Sequence, residues 1–291
     1  MIIGCTGNYR KEEYSTILQE IHRILKNKKN VELVVSSDMI KGSENNISVD
    51  YAFIEFSEMI KKCDIIFAIG GDGTILSTVR RLEGNMKPIM GIHIGGLGFL
   101  SECTEENLED SIQSVINDEY IISHRMLLEV HIIPENDTAQ TLWALNDIVV
   151  DLGPSARMLK VKAEVSDHYL NTFEGDGIII STPTGSTAYS LSAGGPIIYP
   201  SMDSITVTPI CPHSLSARPI VLQSKEIIKL SFPEAYEGIS LSIDGQIKIS
   251  IDNQTQIQIR KASHTAELVS LPNNGYFKTL RTKMGWSGNV R

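Results

Sequence analysis

Apolar residues follow two different rhythms along this chain, and the change comes near residue 124. Before it, short apolar runs (Met1 to Cys5, Val31 to Val35, Ile65 to Ile69, Pro88 to Ile94) alternate with stretches of helical period. Ile17, Leu18, Ile21, Ile24 and Leu25 share one face of a helix spanning Tyr14 to Leu25, and Ile75, Leu76, Val79 and Leu82 share one face of another. Ala52 to Ile60 and Leu108 to Ile116 are expected helices, and the polar residues 40–49 a loop. A strand apolar on both faces suits a parallel sheet covered by helices, so residues 1–124 are expected to form an α/β domain.

After residue 124 the period becomes two. Leu159, Val161, Ala163 and Val165 alternate with Lys160, Lys162, Glu164 and Ser166, as in a half-buried antiparallel strand. Met126 to Ile133, Thr141 to Asp151 and Ile178 to Ser181 also have strand character. Leu241 and Ile243, then Ile247, Ile249 and Ile251, flank Asp244-Gly245, a strong hairpin signal. Residues 125–272 are therefore expected to form an all-β domain. Phe277 to Met284 is expected to be helical, within a C-terminal segment 273–291 that returns to the first domain.

One stretch of the first domain carries chemistry. The run Ile65 to Ile69 stops at Gly70-Gly71-Asp72-Gly73-Thr74, where a helix begins. Glycines leave backbone N–H groups unshielded, and a helix start adds a positive dipole end, so the turn suits phosphate. A carboxylate there repels phosphate, but it makes sense if a hydroxyl must lose its proton beside that phosphate. The plain alternative is a tight turn with a helix-capping Asp. The spelling is neither a Walker A loop nor a Gly-x-Gly-x-x-Gly dinucleotide turn. A second glycine-rich turn, Gly95 to Leu100, follows the next strand.

The chain of 291 residues carries a net charge of −9, which argues against nucleic acid or an anionic membrane as partner. An anionic substrate would need a local positive site. Cys5, Cys63, Cys103 and Cys211 have no metal or disulfide spacing and are expected to be reduced thiols, with Cys211 in packing. The start is expected to be a strand and not a signal peptide, and no apolar run reaches membrane-spanning length.

The second domain has its own chemical stretch, from Gly175 to Pro196. Thr182, Thr184, Ser186 and Thr187 could satisfy a ribose or an amide, and Tyr189 offers a flat face for a base. A Ser/Thr-rich loop with Tyr189 in the core is the alternative.

In order along the chain stand Gly70 to Thr74, Leu97-Gly98-Phe99-Leu100, Leu145-Asn146-Asp147, the stretch Asp176 to Pro196, Pro212 to Pro219, and Asp244-Gly245-Gln246. With these the chain resembles the bacterial NAD kinases over nearly its whole length. The first motif is shared with lipid kinases and, loosely, phosphofructokinases; Thr182 to Tyr189 is far more specific.

The resemblance implies a phosphofructokinase/lipid-kinase-like α/β domain and transfer of the ATP γ-phosphate to the 2′-hydroxyl of the adenosine ribose of NAD, giving NADP. It implies Asp72 as base and Gly73 in the same turn. Asn146 and Asp147 would contact the adenine and ribose side, and Asp176 the nicotinamide end. Thr187, Ala188, Tyr189, Ser190, Leu191 and Ser192 would line the adenosine pocket, with Gln246 also reaching the dinucleotide. Arg157 would lie near the diphosphate, and Glu174 where several members have an Arg near the NADP phosphate. His93 and Gly96 also depart from the common pattern. Mg²⁺ would enter with ATP, with no protein metal site. A cytoplasmic homodimer or homotetramer is implied.

His213 is assigned no catalytic role, and Arg218 is expected to pair with a carboxylate. A lipid kinase would instead show an apolar groove or basic patch. A non-catalytic dinucleotide sensor would have no use for Asp72.

Overall fold

The computed structural model describes residues 1–39, 52–95, 98–135, 137–153, 158–272 and 275–286. The expected loop at 40–49 lies outside them, as do Gly96, Leu97 and Arg157. The chain forms two units, Met1–His124 with Ala266–Arg291, and Arg125–Thr265.

The first unit holds strands β1 (Ile2–Gly7), β2 (Glu32–Ser36), β3 (Ala52–Ile54), β4 (Ile65–Gly70) and β5 (Ile89–His93). They pair in parallel in the order β3-β2-β1-β4-β5. All six residues of β4 are buried, which is why its sequence is apolar without alternation. Helices α1 (Glu13–Leu25), α2 (Phe56–Lys62), α3 (Asp72–Arg81) and α4 (Leu108–Ile116) follow the strands. Ile17, Leu18 and Ile21 of α1 join Ile3, Phe67 and Ile69 of the sheet in one core.

The expected helix over Ala52 to Ile60 is corrected: Ala52, Phe53 and Ile54 pair with Val34, Val35 and Ser36 as β3. The helix starts only after Glu55, whose ψ of 143° is extended.

The second unit is β-rich. Its strands are β6 (Ile121–Ile133, entering from the first unit), β7 (Gln140–Ala144), β8 (Asp147–Asp151), β9 (Leu159–Val165), β10 (His168–Gly175), β11 (Gly177–Ser181), β12 (Ser204–Ile210), β13 (Ile220–Gln223), β14 (Ile228–Ser231), β15 (Ile239–Ile243), β16 (Ile247–Ile251) and β17 (Gln256–Ser270, returning to it). The single strand expected over Thr141 to Asp151 is two. Leu145 and Asn146 break it, and β8 joins a six-stranded antiparallel sheet ordered β13-β12-β11-β8-β15-β16. A strictly all-β unit is also corrected: a 3₁₀ turn at Thr184–Thr187 and a short helix α5 (Tyr189–Ser192) follow β11. Helix α6 (Tyr276–Met284) lies near the C-terminus, with Leu280 buried.

The six-stranded sheet has two unlike faces. Ile148, Val150, Ile178, Ile180, Ile205, Val207, Leu241 and Ile243 point into the main core. The alternate residues are mixed: Asp147, Val149 and Asp151 on β8, Ile179 and Ser181 on β11, Thr206, Thr208 and Ile210 on β12, Ser240 and Ser242 on β15, with Val149, Ile179 and Ile210 in a small apolar cluster of their own. Period-two alternation thus assigns one face to the main core and leaves the other with most of the polar residues, Asp147, Asp151 and Ser242 among them.

Candidate active site

In the first unit the Gly70 to Thr74 turn sits at the carboxyl end of β4, where open α/β sheets present ligands. Asp72 is the first residue of α3. Its carboxylate oxygens accept the backbone N–H groups of Phe99 at 2.8 Å and Leu100 at 3.1 Å. The two glycine-rich turns therefore meet on this side chain. Gly98 is required there, because a Cβ at that position would overlap the Asp72 carboxylate. Gly70 is required too, since its Cβ would overlap Thr74. Gly73 is exposed at the helix start.

Sequence reasoning missed a cation beside this turn. Lys11 Nζ donates to the Ile94 carbonyl at 2.9 Å. Since β4 lies between β1 and β5, a side chain that leaves just past β1 and ends just past β5 spans the carboxyl end of β4. An ammonium there supplies the local positive charge that an acidic chain needs for a phosphate. His93 is buried, with Nδ1 3.1 Å from the Ser101 hydroxyl.

In the second unit a cavity of about 330 Å³ opens on the polar face of the sheet. Asp147, Val149 and Asp151 of β8 and Ser242 of β15 form its floor, and Asn146, Ala188, Tyr189, Asp244 and Gly245 its walls. Of the residues expected at a dinucleotide site, Asn146, Asp147, Ala188 and Tyr189 are brought together here. Tyr189 is 45% exposed, so its ring is not a core residue.

The wall is built by close backbone packing. Thr182 N–H donates to the Asn146 carbonyl at 2.9 Å, and the Thr182 hydroxyl donates to the Leu145 carbonyl at 2.6 Å. Gly185 lies so close that a Cβ would overlap the Asn146 backbone.

The other expected residues are placed differently. Ser190 is buried and bonds the Thr208 hydroxyl at 3.0 Å, beneath the helix. Thr187 Oγ1 donates to the Thr184 carbonyl at 3.3 Å, Leu191 is half-buried, and Ser192 is exposed. Asp176 is exposed and bonds the Cys211 thiol, raising its pKa. Glu174 lies opposite Lys160 across the β9–β10 pair. Gln246 is exposed beyond the hairpin turn.

Two expectations are corrected. Cys211 is exposed with a left-handed φ of 42°, at the exit of β12, and so is not packed. The Arg218 guanidinium donates to the carbonyls of Leu215 and Ala217, both at 2.7 Å, and among the described residues not to a carboxylate. Its loop is exposed, so capping carbonyls costs no desolvation of an ion pair. His213 N–H donates to the Glu174 carbonyl at 2.8 Å.

Asp147 is 3% exposed, and burial first, then the neighbouring Asp244, pushes its pKa up to about 7, against one opposing bond from the Tyr189 backbone. This has a stability consequence. Below pH ~4 an Asp is protonated in both the folded and unfolded chain. Between there and about 7 the unfolded chain ionises while Asp147 keeps its proton, so the folded state loses ground as pH rises. The full loss is on the order of 4 kcal/mol, at about 1.4 kcal/mol per tenfold change in proton affinity. Melting temperatures of wild type should therefore fall from pH 4 to pH 7 relative to Asp147→Asn. A constant difference between the two across that range would mean that Asp147 ionises normally.

Comparison with known proteins gives the family. Residues 3–120 match the ATP-NAD kinase N-terminal domain and residues 145–271 the ATP-NAD kinase C-terminal domain. An NAD kinase of Geotalea daltonii is 40% identical over 226 residues, 78% of this chain and 80% of that protein. An NAD kinase of Christiangramia forsetii is 36% identical over 295 residues, covering both chains in full. Among solved structures, yeast NADH kinase complexed with NADH has a TM-score of 0.90 at 27% identity, covering 100% of this chain and 89% of that one. An NAD kinase from Archaeoglobus fulgidus in complex with ATP has a TM-score of 0.75 at 25% identity, covering 99% and 100%. Fold, site and likeness define a nucleotide phosphotransferase. The chain belongs to the ATP-NAD kinase family.

Proposed function

We propose a division of labour for the NAD kinase reaction of this chain, in which Asp72 is the general base and the cavity of the second unit holds the dinucleotide. The reaction moves the γ-phosphate of ATP to the 2′-hydroxyl of the adenosine ribose of NAD and gives NADP and ADP. The bond from ribose O2′ to phosphorus forms, the bond from phosphorus to the β,γ-bridging oxygen breaks, and the 2′-hydroxyl proton passes to Asp72. Lys11 and the N–H groups at the start of α3 stabilise polyphosphate charge. Mg²⁺ enters as part of the ATP substrate and neutralises further charge.

The observation that carries this reading is the convergence of Asn146, Asp147, Ala188 and Tyr189 on one cavity of about 330 Å³. That is the low end of the size range of small-ligand sites. Tyr189 offers its ring to a base. Gly73 extends the phosphate turn; Asp176, Glu174, Gln246, Thr187, Leu191 and Ser192 contribute around the dinucleotide, and Arg157 beside its diphosphate. Ser190 supports the wall from below. Neither a lipid kinase nor a non-catalytic sensor is supported by the family found.

Finer features of the proposal come from the hydrophobic pattern, which gives the domain bounds, and from the resemblance. They are a phosphofructokinase/lipid-kinase-like first domain over residues 1–124 with 273–291 returning to it, a dinucleotide domain over 125–272, a cytoplasmic location, and a homodimeric or homotetrameric assembly.

The test is an assay of NADP and NADPH formation from NAD and NADH, with ATP as donor, on wild type, Tyr189→Ala and Asn146→Ala. Loss of an aromatic stack costs about 1–3 kcal/mol, a roughly five- to hundredfold rise in KM where KM tracks binding. Unchanged KM for the dinucleotide in both variants would show that the adenosine pocket lies elsewhere.

A further inference from the structure

Asp244 stands at the turn between β15 and β16, and its chemistry exceeds what a hairpin turn needs. A type I′ turn is satisfied by Asp-Gly because both residues accept φ > 0, and Asp244 has φ 51° and Gly245 φ 63°. Yet the Asp244 side chain is not turned to water: the residue is 8% exposed. Its carboxylate accepts three consecutive backbone N–H groups, from Leu145 at 3.1 Å, Asn146 at 2.7 Å and Asp147 at 3.1 Å. Its own N–H donates to the Asp147 carbonyl at 2.9 Å. Leu145 and Asn146 are the break between β7 and β8, where ladder partners are lost. Burying those N–H groups unpaired would be costly, and one carboxylate satisfies them together.

We propose that Asp244 is a positioning residue for dinucleotide binding, whose carboxylate clamps the Leu145 to Asp147 segment so that Asn146 and Asp147 face the cavity in a fixed order. The proposal rests on the reading of that cavity as the dinucleotide site. The same carboxylate has a second effect, since it lines the cavity and its charge disfavours ionisation of Asp147. The other groups around Asp147 are the Tyr189 backbone N–H and phenol from α5 and Asp151 on the same strand; Asp176 and Cys211 act on the Tyr189 phenol. With Asp244 in place, the cavity admits a dinucleotide without two ionised carboxylates side by side.

Two substitutions in the full chain separate clamp from charge. Asp244→Asn offers one acceptor where there were two and places an NH₂ against a backbone donor. It should raise the KM for NAD about ten- to hundredfold, the scale of one charge-assisted bond, with kcat and the KM for ATP changed much less. If ionisation of Asp147 weakens NAD binding, the fall of kcat/KM for NAD that follows that ionisation should also move to lower pH, since a neighbouring charge is gone. Asp244→Glu keeps the charge but displaces the carboxylate. It should raise the KM for NAD and leave the pH profile in place, a pattern that general loosening of the fold does not give. The proposal is overturned if Asp244→Asn matches wild type in both KM for NAD and pH profile. It is equally overturned if both variants raise the two substrates' KM values together, in proportion to a drop in Tm. Should Asp244→Asn not fold, the Asp244→Glu result decides alone. Tyr189→Ala and Asn146→Ala distinguish the two levels: if they raise the KM for NAD while the Asp244 variants do not, only the clamp fails; if they too are silent, the cavity reading itself fails.

Discussion

Asp72→Asn is expected to lower kcat by about 10²–10⁴, the range of general-base help to a weak nucleophile, while NAD affinity stays within a few-fold. The substitution keeps size and shape but replaces an oxygen that takes a proton by an NH₂ that cannot. The structure adds a second effect. The carboxylate accepts from both Phe99 and Leu100, and an amide has one acceptor for two donors, so one of these bonds is lost and the side chain is free to turn. Both effects act on the chemical step. ATP binding is expected to hold or tighten, because a negative charge beside the phosphates has gone. Asp147→Asn and Asp176→Asn should act mainly through binding. Measuring kcat and NAD affinity for the three variants separates the roles. A near-normal kcat in Asp72→Asn would reduce Asp72 to a turn-forming residue.

Gly98→Ala should have the second-largest effect, although it changes no functional group. A methyl at this position would overlap the Asp72 carboxylate. The carboxylate is short and doubly tethered, so relief requires either the side chain or the Gly98 to Leu100 backbone to move. A displacement near 1 Å at a reacting group costs about 10² in rate. The expected result is a fall in kcat of that order with little change in either KM. If Gly98→Ala turned over normally, the Asp72 position would be more tolerant than general-base catalysis allows.

Much of the fold was legible because burial wrote itself into period. The unbroken apolar β4 and the one-faced α1 and α3 left no other assignment, and the Asp244-Gly245 hairpin was plain. Ala52 to Ile54 was misassigned because three residues cannot distinguish strand from helix by period; their pairing with β2 decided it. The break at Leu145-Asn146 was hidden for a related reason. Two polar residues, Asn146-Asp147, between apolar runs do not by themselves end a strand, and the carboxylate that holds the break lies about a hundred residues later in the chain. Sites followed the same division. Asp72 and Tyr189 announced themselves by glycine and hydroxyl-rich surroundings, and Asn146 only through the family resemblance. Lys11 and Asp244 did not, because each acts through a main-chain group whose position only the folded chain fixes. The nearest signals were that Lys11 closes the first strand's loop and that Asp244 sits in a hairpin turn.

The tethering of Asp72 by amides has a consequence for how this site can change over generations. The donors belong to the main chain at positions 99 and 100, so replacing the Phe99 or Leu100 side chain leaves both bonds in place. Only proline at either position deletes a donor outright. The base is therefore held independently of these side chains, although Leu100 is buried and answers to packing as well. The inherited constraint falls on the path of the backbone and on Gly98, where a side chain would intrude on the carboxylate itself.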